Sequence, residues 1–191
     1  MKTRRFISLL CTALLLSGCS LFSAGSSVSR ITLGSSLEID NTDENRVLLS
    51  NTDALAADGM YYASWGLGSK SPFTDTDGKT VELYDARLHL LLGEYENSGE
   101  AQSNMESWLA SGRTEYDVLT DEEFLCGGRT YTKLTYRFRA ENSPYTNGVS
   151  VFGVSGSSAV CIELTCRETF PDDPAAALTS FLNSCTYLEE P

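Results

Sequence analysis

The sequence predicts an α+β fold, an antiparallel sheet flanked by amphipathic helices. Three observations predict it. Turn residues mark two hairpins, at Gly127-Gly128 and at Ser155-Gly156-Ser157, and hairpins require antiparallel pairing. Two segments, one after residue 98 and one after residue 173, space their apolar residues as helices do. The 191 residues are 41 % hydrophobic and 10 % aromatic, the composition of a folded chain with room for one domain.

The elements follow in chain order. Residues 31–39, 46–49 and 59–67 read as short extended segments, the last rich in aromatic and β-favouring residues at Met60-Tyr61-Tyr62-Ala63-Ser64-Trp65. Asn41 to Asn45 and Ser50 to Asp53 are turn-like. Asp77-Gly78 is a hairpin signal leading into a long strand over 80–95, where Ala86, Leu88, Leu90 and Leu92 alternate with Arg87, His89 and Leu91. Ser98 is the expected cap of a first helix, whose stripe is Ala101, Met105, Trp108 and Leu109, with Gly112 as its stop. Counting outward from Gly127-Gly128 pairs Cys126 with Arg129, Phe124 with Tyr131, Glu122 with Lys133, Asp121 with Leu134 and Leu119 with Tyr136. The second hairpin runs over 148–154 and returns over 159–166, with Val160, Ile162, Leu164 and Cys166 on one face and Ala159, Cys161, Glu163 and Thr165 on the other. Asp173-Pro174 opens a final helix with the stripe Leu178, Phe181, Leu182 and Cys185.

The N-terminus carries a different message. Lys2, Arg4 and Arg5 precede an apolar run over 6–16 and then Ser17-Gly18-Cys19. That is the layout of a signal peptide, and the run is too short for a bilayer span of roughly 20 residues. The tetrad Leu16-Ser17-Gly18-Cys19 resembles the bacterial lipobox, in which the cysteine is acylated and becomes the new N-terminus. The resemblance implies lipid attachment at Cys19, with the palmitate-type chains of a lipoprotein, and a membrane-anchored, extracytoplasmic location on the cell membrane, or on an outer membrane where the envelope has one. Residues 19–29, rich in serine, then form a tether reaching about 35 Å at full stretch, and residues 30–191 form a single domain.

Strand, helix, four strands in two hairpins and helix is the order from residue 80. Together with Glu106-Ser107-Trp108-Leu109, the Gly-x-x-x-Tyr-x-x-Leu-x-Tyr rhythm from Gly127, and Ala177-Leu178 with Phe181-Leu182 and Tyr187, it resembles the PsbP-like and DcrB-like lipoprotein fold. The resemblance covers residues 80–188 and implies an α/β/α sandwich that docks to proteins or small ligands. Residues 30–79 then add N-terminal strands.

Charge narrows the partners. The chain has 14 bases against 26 acids, and three of those bases lie in the signal peptide. Nucleic acid is therefore not an expected partner, nor is a polybasic contact with anionic lipid. The expected partners are the membrane, through the lipid on Cys19, and an envelope protein or small ligand.

Chemistry-bearing motifs are few. With His89 as the only histidine, neither a multi-histidine zinc site nor an HExxH motif is possible. His89 reads as a strand-face residue. Asp75-Thr76-Asp77-Gly78 has calcium-loop character but lacks the flanking ligands and reads as a turn. No catalytic, metal or cofactor residue is expected. Four cysteines remain after processing, and an exported location permits disulfides. The face assignments favour Cys166–Cys185 with Cys126–Cys161, the alternative being packed free thiols. Tyr61, Tyr62 and Trp65 are a candidate binding surface, the alternative being core packing. The expected function is thus non-enzymatic binding or assembly support at the envelope. A cell-envelope hydrolase using carboxylates such as Glu163, or a purely structural envelope protein, are the alternatives.

Overall fold

The computed structural model describes residues 28–52, 59–140 and 143–188. Cys19, the expected lipid-attachment residue, and positions 20–27 of the expected tether lie outside these residues, whereas the carbonyls of Val28 and Ser29 accept hydrogen bonds from Asn41. Ten strands and two helices make up the described chain: β1 (Arg30–Leu33), β2 (Leu37–Asp40), β3 (Arg46–Thr52), β4 (Met60–Thr74), β5 (Thr80–Glu94), α1 (Ser98–Glu115), β6 (Asp117–Cys126), β7 (Arg129–Arg137), β8 (Asn147–Ser155), β9 (Ser158–Cys166), α2 (Pro174–Leu182) and β10 (Cys185–Tyr187).

The large sheet has seven strands in the order β3-β4-β5-β9-β8-β7-β6, and every pairing is antiparallel. After β5 the chain crosses to the far edge by way of α1, then meanders back through β6, β7 and β8, so that β9 closes against β5. Helix α1 therefore packs across β8 and β9 and buries Ala101, Met105, Trp108, Leu109 and Gly112. On the opposite face lie α2 and a small sheet ordered β1-β2-β10. Ile31, Leu33, Leu37, Ile39, Leu178 and Phe181 join that face's core. The architecture is thus dominated by sheet, with one helix on each side.

Alternation explains why β5, β8 and β9 look nearly continuous in apolar character. They are covered on both faces, so both residue sets face a core. Leu88, Leu90 and Leu92 face α2 and the small sheet, while Leu134, Tyr136 and Phe152 face α1.

Several boundaries differ from the sequence expectation. The segment 31–39 is two strands, broken at Gly34, whose φ is +55°. The cap of α1 is Asn97, whose side chain accepts from the Glu100 amide at 3.0 Å. Gly112 does not stop α1; it lies inside the helix where a Cβ would come within 3.4 Å of Leu134 and 3.5 Å of Phe152. A Cβ there would make ordinary contact with the sheet, so the position faces the core without ending the helix. Helix α2 does begin at Pro174, capped by the Asp173 carboxylate on the Ala176 amide. It ends at Leu182, and Cys185 belongs to β10, paired with Ile39.

The β6–β7 register follows the count from the turn as far as Asp121↔Leu134. A bulge at Leu119 then shifts it, so Val118 rather than Leu119 opposes Tyr136. Leu119 is left 53 % exposed. Gly127 and Gly128 both have positive φ, +58° and +76°, with open space around each would-be Cβ. Strain in the backbone is therefore the whole cost of replacing them. Changing both to valine is expected to destabilise the fold by roughly 1–3 kcal/mol per site. Chemical denaturation checks this, and an unchanged midpoint would contradict the turn geometry.

Candidate functional site

The α1-side face of the large sheet carries a polar row across its middle. Register places Ser50, Ser64, His89, Glu163 and Ser150 side by side on β3, β4, β5, β9 and β8. Alternation along each strand puts all five side chains on this one face. The hydroxyls of Ser50 and Ser64 lie 3.0 Å apart. His89 Nδ1 shares a hydrogen bond of 2.6 Å with the Tyr62 hydroxyl. Burial, with the Arg87 charge adding to it, lowers the His89 pKa to about 3, so the ring is neutral at physiological pH.

Glu163 is the centre of the row. Its Oε1 accepts from the hydroxyls of Tyr136 and Tyr116, the latter at 3.0 Å, and from Ser150 Oγ at 3.4 Å. Tyr116 follows directly after α1 and stacks on Tyr136, with ring centroids 3.9 Å apart. The helix terminus thus delivers one of the carboxylate's donors. Burial raises the Glu163 pKa, the three hydroxyl donors oppose that rise, and the Glu115 charge adds to it. Burial likewise holds the Tyr136 hydroxyl well above its ordinary range. The carboxyl is held by three neutral hydroxyl donors, with the His89 imidazole on the neighbouring strand. Gly148 makes room for this cluster, because a Cβ there would collide with the Tyr136 ring.

Beyond the row, Arg87 sits on β5 opposite Thr165 of β9. A shallow groove of about 400 Å³ runs between α1 and the β6–β7 hairpin. It is lined by Met105, Arg113, Asp121, Glu123, Thr132 and Phe152. Arg113 Nε bonds Asp121 Oδ2 across it at 2.7 Å, an exposed pair of small energetic weight.

The structure does not gather the aromatic candidates into one surface. Trp65 is fully buried, with its indole N–H on Asn41 Oδ1 at 2.8 Å and its ring edge-on to Phe181. Tyr61 packs on the same side as Trp65, while Tyr62 faces the other way, toward His89. Strand alternation separates them.

The cysteine pairing is also corrected. All four described thiols are free. Cys126 packs with Ile162 on the α2 side, while Cys161 packs against the α1 side. The expected Cys126–Cys161 pairing requires Leu134 and Ile162 to share a face, but Leu134 aligns through Ser150 with Glu163. That one-residue difference puts Cys126 and Cys161 on opposite faces, and no bridge passes through a sheet. Cys166 lies at the end of β9, paired with Ala86 and Asn147. The Cys185 thiol instead donates to the Phe181 carbonyl at 3.5 Å. Burial raises the thiol pKa values of Cys166 and Cys185 to about 11 and about 12, so both are packed, unreactive groups.

Asp75-Thr76-Asp77-Gly78 is a turn. Asp75 Oδ1 accepts from the amides of Asp77 and Lys79, at 3.0 and 2.8 Å. Sequence reasoning noticed Glu163 only as a carboxylate in need of a neighbour; it missed Tyr116 and Tyr136 as the partners. The available signal was polarity in a strand covered on both faces, which obliges a buried hydrogen-bonding network.

Comparison with known proteins adds little beyond this geometry. No protein-family model and no curated protein matches the chain. Among solved structures it is similar to the solution structure of cyanobacterial PsbP from Synechocystis sp. PCC 6803. The identity is 13 % and the TM-score 0.39, over 90 % of this chain and 98 % of that one.

Proposed function

We propose that this chain is a membrane-anchored extracytoplasmic lipoprotein whose folded domain has a non-enzymatic binding or assembly-support role. The observation that carries the reading is Leu16-Ser17-Gly18-Cys19 behind a basic segment and an eleven-residue apolar run. Two acyl chains give stable anchoring where one does not. In this reading the domain is a PsbP-like α/β/α sandwich, which the helices on opposite faces support. The partly enclosed polar row at His89 and Glu163 supplies a surface with fixed donors and acceptors, the usual way a site sets orientation.

Cys19→Ala is expected to abolish lipid labelling and to move the protein out of the membrane fraction. Fractionation with labelled fatty acid measures both. Retention of the variant in membranes, with label, would overturn the anchor.

One observation favours a second reading, a hydrolase using carboxylates. Glu163 has a raised pKa and feels the Glu115 charge, as a general acid beside a second carboxylate does. Turnover of ester or glycoside substrates that is lost in Glu163→Gln would support it.

A further inference from the structure

The large sheet has one acidic edge. Strand β6 has β7 as its one neighbour among the described residues, so the amides and carbonyls of its outer side have no strand to bond. Such an edge is a template for an added strand. Seven of its ten residues are exposed, so most of the strand is open to a partner, and it carries four acids and no base. The opposite edge, β3, carries Arg46 and no acid. Leu119 and Leu125, 53 % and 70 % exposed, stand on either side of Asp121-Glu122-Glu123.

Charge decides what can occupy this edge. Arg113 holds Asp121 and Lys133 holds Glu122, each at 2.7 Å, while Glu123 forms no hydrogen bond or ion pair among the described residues. In an antiparallel pairing that brings Leu119 to Leu125 of a second copy, Asp121 would face Glu123 and Glu122 would face its own counterpart. Like charges directly opposite each other destabilise a sheet. These acids therefore repel a second copy and admit a strand of opposite charge. Asp121 and Glu123 also line the groove beside α1, together with Met105 and Phe152.

We propose that β6 is the docking edge for an extended, lysine- or arginine-rich segment of a partner protein, added beside it as a further strand. Main-chain hydrogen bonds hold the segment, apolar residues at its ends meet Leu119 and Leu125, and its cations meet the acids between them. A long basic side chain entering the groove lays its stem on Met105 and Phe152 and brings its charge to Glu123. The inference rests on the binding reading of this domain and is independent of the lipid anchor.

The probe is a capped peptide with leucine at both ends, lysine at its three central positions and valine between, titrated into the full chain and read by fluorescence anisotropy. It is expected to bind saturably, more weakly as salt rises, and to slow amide exchange along β6. The same peptide with glutamate in place of lysine is expected not to bind. N-methylation of alternate residues keeps the charge but removes main-chain donors, and is expected to abolish binding. Glu123→Lys is expected to weaken binding about tenfold, and Leu125→Ser to weaken it as well. Both positions are exposed, so the melting temperature is expected to stay in place. Equal affinity for the N-methylated or the glutamate peptide, or equal affinity of the Glu123→Lys chain, would overturn the proposal. So would self-association of the chain that Leu125→Ser abolishes, since a second copy would then be the occupant. Peptide affinity is expected to be the same in Cys19→Ala and in Glu163→Gln, so the anchor and hydrolase readings are tested apart from this edge.

Discussion

Truncating Trp65 to alanine is expected to cost about 3–5 kcal/mol of stability, a large share of what a domain of this size possesses. The indole is wholly enclosed. It packs edge-on against Phe181 at 4.9 Å between centroids, and the Arg46 guanidinium lies over that phenyl ring at 5.1 Å. The loss therefore reaches β4, α2 and the start of β3 together. It also strands Asn41, which accepts the indole N–H. Urea denaturation at neutral pH measures the effect, and Trp65→Phe, which keeps most of the ring volume, is expected to lose less. A cost below about 1 kcal/mol for Trp65→Ala would mean that the ring is not a core residue and would reopen its assignment to a binding surface.

The second large effect is acid sensitivity centred on His89. Its folded pKa is about 3, against 6.5 when free, chiefly through burial. Above 6.5 neither state binds the proton and the neutral ring is accommodated at no titration cost. As pH falls below 6.5 the unfolded chain takes up a proton that the native state refuses. Stability is then lost progressively until the folded pKa is reached. At about 1.4 kcal/mol per pH unit, the full loss from this one ring is at most about 5 kcal/mol. Glu163 acts in the opposite sense. Its folded pKa is raised above 4.5, so its contribution is complete below 4.5 and is lost as pH rises through the folded value. His89→Gln keeps a hydrogen-bonding partner for Tyr62 and removes the titration. Between pH 6.5 and 4.5 the variant's denaturation midpoint is expected to fall less steeply than that of the natural protein. Parallel slopes for the two would refute the burial of a neutral His89.

Local chemistry is what the sequence conveys well here. Gly127-Gly128 announces a turn because two successive residues with φ > 0 are cheap only for glycine, and the register near it follows by counting. Asp173-Pro174 announces a helix start because the carboxylate can cap while proline needs no amide partner. The alternation in 80–95 declares a strand, and the 101–109 stripe declares a helix.

The tertiary structure decided everything that depends on which strands are neighbours. The sequence cannot show that α1 crosses to the far edge, so it cannot show that β9 ends beside β5. That pairing sets His89 next to Glu163, far apart in chain order. It also sets Arg87 beside Thr165, on the row that leads to Gly148. The bulge at Leu119 costs no hydrophobic signal, so counting passed over it. Face identity across two hairpins is equally hidden. A shift of one residue between Leu134 and its β8 partner exchanges every side chain's face, and it separated Cys126 from Cys161. Periodicity fixes which residues of one strand share a side; only packing of the whole sheet fixes which strands share that side, because the alternation has period two and carries no record of its neighbour's phase.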